Sequence, residues 1–359
     1  MYSSEQLFLI YSGLFFGVLV FSLIINSVFL RFARTLGIRD RHAELVRWSS
    51  ASKPAFGGIG FFICFLGCFA LYSTLFPKFS QPLDSPMLGL LAATGLGFLM
   101  GLADDAYNTR PFLKFLVQLT CGAILLFSGT SIHLFGVPWA DGLFTLIWVV
   151  GMMNSINMLD NMDAITTIVS IFILLCALLV VVFLGPLATA DTVLIIGCIA
   201  ALTGFLFFNW SPSRLFMGDT GSQFLGVYLG YIGIRFFWNM PGDPGEEGPW
   251  RQICAVLVVF LLPIVDTTTV TINRILRGRS PFIGGKDHTT HHLGYTGLSD
   301  AQVALVFIGL SAVALFLTFV LLRFVPVWGT LHTVFALSYA LLLFGTLYGL
   351  TRKQKKEHR

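Results

Sequence analysis

The chain segment Asn154-Ser155-Ile156-Asn157-Met158-Leu159-Asp160-Asn161-Met162-Asp163 lies directly between the apolar runs 143–153 and 165–184. Ionisable groups at the mouth of a helix bundle are expensive to place and mark either pairing or function. At helical spacing Asn157, Asp160 and, one turn on, Asp163 share a face, since residues three apart are neighbours. That face would suit a divalent cation or the hydrogen-bonding edge of a polar ligand. A hydrophilic connector between two membrane spans explains the segment equally well when it is taken alone.

Further polar clusters weigh against the connector. Asp104-Asp105 closes another apolar run; beside Arg110 the pair reads either as a solvated helix end or as two carboxylates that attract a metal or act as a base. In the stretch 209–222, Gly218 and Gly221 flank Asp219, which suits a sharp bend offering backbone N–H groups and a carboxylate together. Asp219 or Thr220 would also serve as an ordinary helix cap. The basic connector 31–53 ends in Lys53-Pro54-Ala55-Phe56-Gly57-Gly58. Its paired glycines allow close backbone approach, and an orientation signal with helix packing is at least as good a reading as phosphate binding by Lys53. The loop 274–293 carries Arg274, Arg277, Arg279, Lys286, His288, His291 and His292. A short helix would present the histidines on one face, but zinc needs a third protein ligand in defined geometry. With four cations nearby, phosphate recognition is the better reading, set against a loop that only orients the chain.

The elements that hold these clusters are membrane spans. The chain of 359 residues is 56% hydrophobic and 11% charged, with 36 Phe, against roughly 25% charged residues in soluble domains. Eleven spans are expected, near 7–30, 57–76, 87–103, 113–128, 141–156, 165–184, 192–208, 221–238, 252–273, 301–322 and 330–350. The fourth and fifth are short enough to tilt. The fold class is thus an all-α polytopic bundle. If the first connector is cytoplasmic, that side collects 18 of the 22 Lys and Arg, so the amino terminus is expected outside and the carboxyl terminus inside. Every polar cluster then falls on the cytoplasmic face.

Glu5 and the missing small-residue cleavage site argue against a cleaved signal peptide. The six cysteines all sit in apolar runs and read as packing. No internal repeat is visible. The expected layout is one membrane-embedded domain, 1–350, with active-site loops 31–56, 104–114, 154–164, 209–222 and 274–299. The remainder, 351–359, is a basic tail suited to anionic head groups.

Acidic clusters and one basic, histidine-containing loop on one membrane face suggest a divalent cation and a polyphosphate substrate. The membrane adds a lipid. Phosphoryl transfer from a cytosolic nucleotide compound to a lipid acceptor meets these requirements together.

At these residues the sequence resembles the polyprenyl-phosphate N-acetylhexosamine-1-phosphate transferases, over most of its length. Asp104-Asp105 is similar to the family's aspartate pair, and Asn154-x-x-Asn157-x-x-Asp160-x-x-Asp163 to its Asn-x-x-Asn-x-x-Asp-Gly-x-Asp-Gly segment. Phe216-Met217-Gly218-Asp219-Thr220-Gly221-Ser222 is similar to its Phe-Met-Gly-Asp-x-Gly-Ser turn. The segments 263–267 and 277–282 resemble those of the branch that uses UDP-N-acetylhexosamines. The peptidoglycan branch has three consecutive histidines and matches less well. Asn161 and Ala164 stand where the family has glycine; against His-Leu-His-His-Arg-Leu, Thr290 replaces a histidine and His292 an arginine, and a subgroup with Asp-His-Thr-Ser-His-Arg-Leu is closer to residues 287–293.

The resemblance implies attack by undecaprenyl phosphate on the β-phosphorus of a UDP-sugar, with release of UMP. Asp219 and Asn157 would hold Mg²⁺ (or Mn²⁺), and Asp104 or Asp105 would orient or deprotonate the lipid phosphate. Asn154, Asp160 and Asp163 would help read the nucleotide. His288, His291 and Arg279 would bind phosphates or sugar, and Phe216, His292 and Lys53 join the substrate-binding set. The implied setting is the bacterial cytoplasmic membrane, with a homodimer suggested and no nucleic acid partner. N-acetylglucosamine is the first choice of sugar; another UDP-N-acetylhexosamine or UDP-MurNAc-pentapeptide is the alternative. An ion-coupled transporter is the reading from a different class. It would place its carboxylates near the midplane on broken helices and often show inverted repeats.

Overall fold

Backbone groups inside hydrocarbon must satisfy one another, which leaves a helix as one of two spanning solutions. The computed structural model describes residues 2–36, 54–76, 84–241, 248–280 and 284–357, and among them the regular structure is helical throughout. The helices are α1 (Ser4–Leu36), α2 (Gly57–Leu75), α3 (Ser85–Tyr107), α4 (Pro111–Phe127), α5 (Pro138–Leu159), α6 (Ile165–Leu184), α7 (Ala190–Asn209), α8 (Gly218–Gly233), α9 (Trp250–Ile275), α10 (Thr289–Tyr295), α11 (Asp300–Phe324) and α12 (Thr330–Glu357). A π-helical turn, Ile234–Trp238, continues α8.

Eight of these are long and apolar enough to cross a membrane, and α2 and α4 are shorter apolar helices. The chain is a multi-pass membrane protein. α5 is longer than expected, because it starts at Pro138, whose missing N–H is harmless in a first turn. α8 is absent from the long apolar set for a physical reason. Thr220 to Ile234 are all buried by protein, so this helix need not match lipid and can carry glycines and polar residues.

α8 is the axis of the bundle. It packs against α2, α3 and α5, while α7 packs on α1, α2 and α6, and α4 bridges α3 and α5. α9 joins α5 to α11 and α12, and the short α10 rests on α9, α11 and α12. The α3–α8 contact is close because Gly101 has no side chain; a methyl there would lie 2.2 Å from the Asp219 carbonyl oxygen. The C-terminal ends of α3, α5, α7 and α9 and the N-terminal ends of α4, α6 and α8 meet at one end with α10.

The expectation that Asn157, Asp160 and Asp163 share a helix face is corrected here. α5 ends at Leu159, Asp160 is its C-cap with non-helical ψ of 52°, and Asp163 lies in the following turn. The chain re-enters helix at Ala164, which takes a left-handed conformation with φ of 69° and donates its N–H to Asn209 Oδ1 at 3.1 Å. A methyl-bearing residue in that region costs about 1–2 kcal/mol. Ala164→Gly is therefore expected to raise the thermal midpoint of the detergent-solubilised protein, by relief of about 1 kcal/mol. The bulkier Ala164→Val should lower it. A lower midpoint for the glycine variant would mean that the buried methyl outweighs the strain.

Candidate active site

The turn before α8 is pinned from three sides. The Phe216 N–H donates to the Pro54 carbonyl at 2.9 Å, and the Gly57 and Gly58 N–H groups donate to the Phe216 and Met217 carbonyls at 3.0 Å each. Buried Asn209 gives its amide to the Leu215 carbonyl at 3.1 Å. Gly218 then turns the chain into α8 at φ of +74°, where a Cβ would lie 2.7 Å from Asp105 Oδ2. The first N–H groups of a helix have no partner within it. Asp105 supplies one: Oδ1 accepts from the Asp219 N–H, and Oδ2 from the Thr220 N–H, both at 2.9 Å, and from Thr220 Oγ1 at 2.6 Å. A carboxylate at the positive end of a helix is favourable in charge as well as in hydrogen bonding.

Capped in this way, α8 presents Asp219. Its Oδ1 accepts from Asn157 Nδ2 at 2.8 Å, and the same amide also donates to Ser222 Oγ at 2.9 Å. Its Oδ2 lies 3.5 Å from the Lys114 ammonium, and the Asp219 side chain is 34% exposed, within reach of a ligand. Lys114 makes its tighter ion pair with Oδ2 of buried Asp104. Asp104 Oδ1 accepts from the Thr109 N–H at 2.8 Å and from Thr109 Oγ1 at 2.7 Å. Three carboxylates thus meet one ammonium and one helix terminus. That excess of hard oxygen donors would suit a divalent cation, and Asn157 lies directly beside Asp219 there. Among the described residues no three His, Cys, Asp or Glu form a group that could hold a metal ion; magnesium commonly takes only one or two carboxylates and completes its shell with phosphate oxygens.

The other predicted residues divide between this centre and its supports. Asn154 donates to Gln118 Oε1 and to the Val150 carbonyl, each at 2.8 Å, and Gln118 continues to Gln223 at 3.3 Å. Asp163 holds the turn before α8, accepting from the Ser213 N–H at 2.9 Å and Ser213 Oγ at 2.7 Å. Both brace α8 and its turn. Asp160 is half-buried at the end of α5, and Phe216 contributes its backbone to the turn. Lys53 lies outside the described residues.

His288 is the N-cap of α10, and the three histidines are buried. His288 Nδ1 meets Asp266 Oδ2 at 2.8 Å, while Asp266 Oδ1 takes the Thr289 N–H at 2.8 Å and Thr289 Oγ1 at 2.6 Å. Burial, reinforced by the neighbouring His288, pushes the His291 imidazole down to about 3, so it acts at neutral pH as an uncharged hydrogen-bonding group. Asp287 is gripped by Arg274, with Nη2 to Oδ1 at 2.7 Å and Nε to Oδ2 at 3.1 Å. Burial pushes this carboxyl up, but Arg274 outweighs it and holds it below the ordinary range. Arg279 is exposed at the edge of this group.

Lys114, Asp266 and Gln118 were not singled out from the sequence. A signal existed for the first two. Lys114 is the only charged residue of α4, and Asp266 is the only one of α9 between Arg251 and Arg274. A lone ionisable group in an apolar helix is itself a mark of function.

A family model described as glycosyl transferase family 4 matches residues 87–237, a span holding the whole carboxylate centre. The chain is 26% identical over 343 residues to a Bacillus subtilis (strain 168) protein named as a probable undecaprenyl-phosphate N-acetylglucosaminyl 1-phosphate transferase, covering 93% of this chain and 91% of that one. It is 30% identical over 284 residues to a phospho-N-acetylmuramoyl-pentapeptide-transferase of Streptococcus agalactiae serotype Ia, covering 71% of this chain and 78% of the relative. A decaprenyl-phosphate N-acetylglucosaminephosphotransferase of Mycolicibacterium smegmatis is 26% identical over 298 residues, covering 75% and 70%.

Asp219→Ala is expected to abolish the binding of Mn²⁺ seen by electron paramagnetic resonance, while the protein still inserts and melts within a few degrees of wild type. Retained stoichiometric Mn²⁺ would remove Asp219 from the metal site. In Lys114→Met, the loss of the one ammonium leaves Asp104 and Asp219 uncompensated, so Mn²⁺ should bind more tightly. Weaker binding would show that Lys114 shapes the cation site instead of competing with it.

Proposed function

The chain belongs to glycosyl transferase family 4, and from that premise we propose that it transfers N-acetylglucosamine 1-phosphate from UDP-N-acetylglucosamine to undecaprenyl phosphate, releasing UMP. The observation that carries this reading is the Asp219 centre, where a half-open carboxylate, an amide and an ammonium meet at the capped end of α8. The choice of sugar and lipid draws on the B. subtilis relative, whose similarity runs over 93% of this chain. Against the pentapeptide-transferase reading, this chain lacks three consecutive histidines at 288–292.

In the proposed reaction a phosphate oxygen of the lipid forms a bond to the β-phosphorus of the donor. The bond from that phosphorus to the bridging oxygen breaks, and its electron pair leaves on UMP. The sugar–phosphate bond stays intact. A phosphate monoester has a second pKa near 6, so the nucleophile is largely ionised at neutral pH and needs little help from a base. Positioning and charge compensation then carry the catalysis. Direct attack is favoured over a covalent aspartyl intermediate because both oxygens of Asp105 are taken by α8, and those of Asp104 by Thr109 and Lys114.

Asp219 and Asn157 would hold Mg²⁺ against the donor diphosphate. When bound there, the ion supplies charge neutralisation for the diphosphate. Lys114, between Asp104 and Asp219, is placed to draw the anionic lipid phosphate toward the centre. Asp160 at the end of α5 and the histidine group on α10 would face the nucleotide and the sugar, with His291 contributing neutral hydrogen bonds. The active site is assigned to the cytoplasmic side of the bacterial inner membrane, where UDP-sugars are available. The strong Lys and Arg bias of the loops at that end supports the assignment.

The test is a radiolabel assay on purified protein with undecaprenyl phosphate, Mg²⁺ and a panel of UDP-sugars. Label entering the lipid from UDP-N-acetylglucosamine with stoichiometric UMP, abolished by chelation of the metal, is the expected result. Label entering only from UDP-MurNAc-pentapeptide would reassign the donor. No transfer from any donor by folded protein would sink the reading.

A further inference from the structure

One contact joins two parts of the site that lie 129 residues apart in sequence. Thr290 Oγ1 donates to Asn161 Oδ1 at 2.5 Å. The amide cannot turn away freely, because its Nδ2 is held by the Met158 carbonyl at 2.8 Å. The Asn161 N–H is directed to the Leu159 carbonyl at 2.8 Å. Residue 161 therefore grips α10 through its side chain, at Thr290. Thr290 is fully buried. Both partners are uncharged.

α10 needs such a grip. With seven residues it is far below the length at which a helix holds itself together, so its position is set by what it touches. α9, α11 and α12 support it from one side. The Asn161 contact ties it to the turn at the end of α5, which follows Asn157, the partner of Asp219. Both positions are among the four where the chain departs from the pattern it otherwise resembles, with Asn161 in place of a glycine and Thr290 in place of a histidine, beside Ala164 and His292.

We propose that Asn161 and Thr290 are positioning residues for the sugar-nucleotide donor: their hydrogen bond fixes the histidine helix against the carboxylate turn and so sets donor affinity, leaving the lipid acceptor unaffected. The proposal rests on the transferase reading above. The separation of the two substrates follows from the elements involved. The acceptor side is built on α3, α4 and the start of α8, through Asp104, Asp105 and Lys114, and none of these elements carries the pair. Breaking the bond leaves a buried hydroxyl or amide oxygen unpaired, and α10 shifts to satisfy it.

The experiment uses the full chain in detergent and reads three quantities for Thr290→Val, Thr290→Ser, Asn161→Ala and the double variant T290V/N161A. These are the Kd of UDP-N-acetylglucosamine by calorimetry, the KM of undecaprenyl phosphate, and hydrogen exchange of the α10 backbone. One net hydrogen bond corresponds to a rise in donor Kd on the order of fivefold. That rise is expected in T290V and N161A together with faster α10 exchange, while T290S, which keeps the hydroxyl, stays near wild type. The double variant should be no worse than either single one, as for two partners of one bond. Acceptor KM should stay constant. Donor Kd unchanged in T290V, a T290S as weak as T290V, additive losses, or an acceptor KM that moves by the same factor would each overturn the proposal. Wild-type protein that neither binds nor transfers the donor would instead overturn the transferase reading, a result separable from all of these.

Discussion

The structure depends on a carboxylate at the start of a buried helix. α8 runs through the middle of the bundle, its first N–H groups have no partner within the helix, and each one left buried and unpaired would cost about 1–3 kcal/mol. Asp105 takes two of them and the Thr220 hydroxyl as well. The arrangement requires α3 to approach at backbone distance, which Gly101 permits. Successive helix residues point about 100° apart, so the neighbouring Asp104 cannot share this task. It is turned to Lys114 and Thr109. Two adjacent aspartates that look interchangeable as letters therefore do different work, one in assembly and one in the electrostatics of the centre.

A second layer of constraint sits behind the residues that face the ligand space. Asp163 holds Ser213, Asn209 holds Ala164 and Leu215, Asp266 holds His288, and Arg274 holds Asp287. In each pair a charged or amide group is buried and matched, as the low dielectric of the interior demands. The consequence is a site whose turns have little freedom of their own. Five helix ends are tied together by side-chain hydrogen bonds more than by continuous secondary structure.

Much of this was legible in the sequence, and what was not has a common cause. Helices stand at the eleven places where apolar runs predicted them, eight of them long and apolar enough to cross a membrane among the described residues, and the clusters around Asp104, Asn157, Asp219 and His288 stood out as polar groups at the ends of those runs. The resemblance assigned Asn154 and Asp163 to the nucleotide; sequence shows a polar residue but not the direction of its side chain, and here they bond Gln118 and Ser213. The helix face proposed for Asn157, Asp160 and Asp163 failed at Leu159, where the chain leaves the helix for a turn whose left-handed residue, Ala164, gives no glycine signal. Lys114 was hidden for a different reason. It lies ten residues beyond Asp104 on another helix, and only the packing of α3, α4 and α8 makes it the counter-ion of two carboxylates.

The central place of α8 also bears on how the protein is made. Its first residue is Gly218, so α3 with Asp104 and Asp105 enters the membrane well before the helix terminus that Asp105 is built to cap has been synthesised. Until then the carboxylate pair must remain hydrated at the bilayer edge, and α2, α3 and α5 must stand far enough apart to admit a further helix between them. The site consequently closes as a late event of biogenesis, with α8 as the keystone, and α10, more than fifty residues further on, is added to a frame already in place.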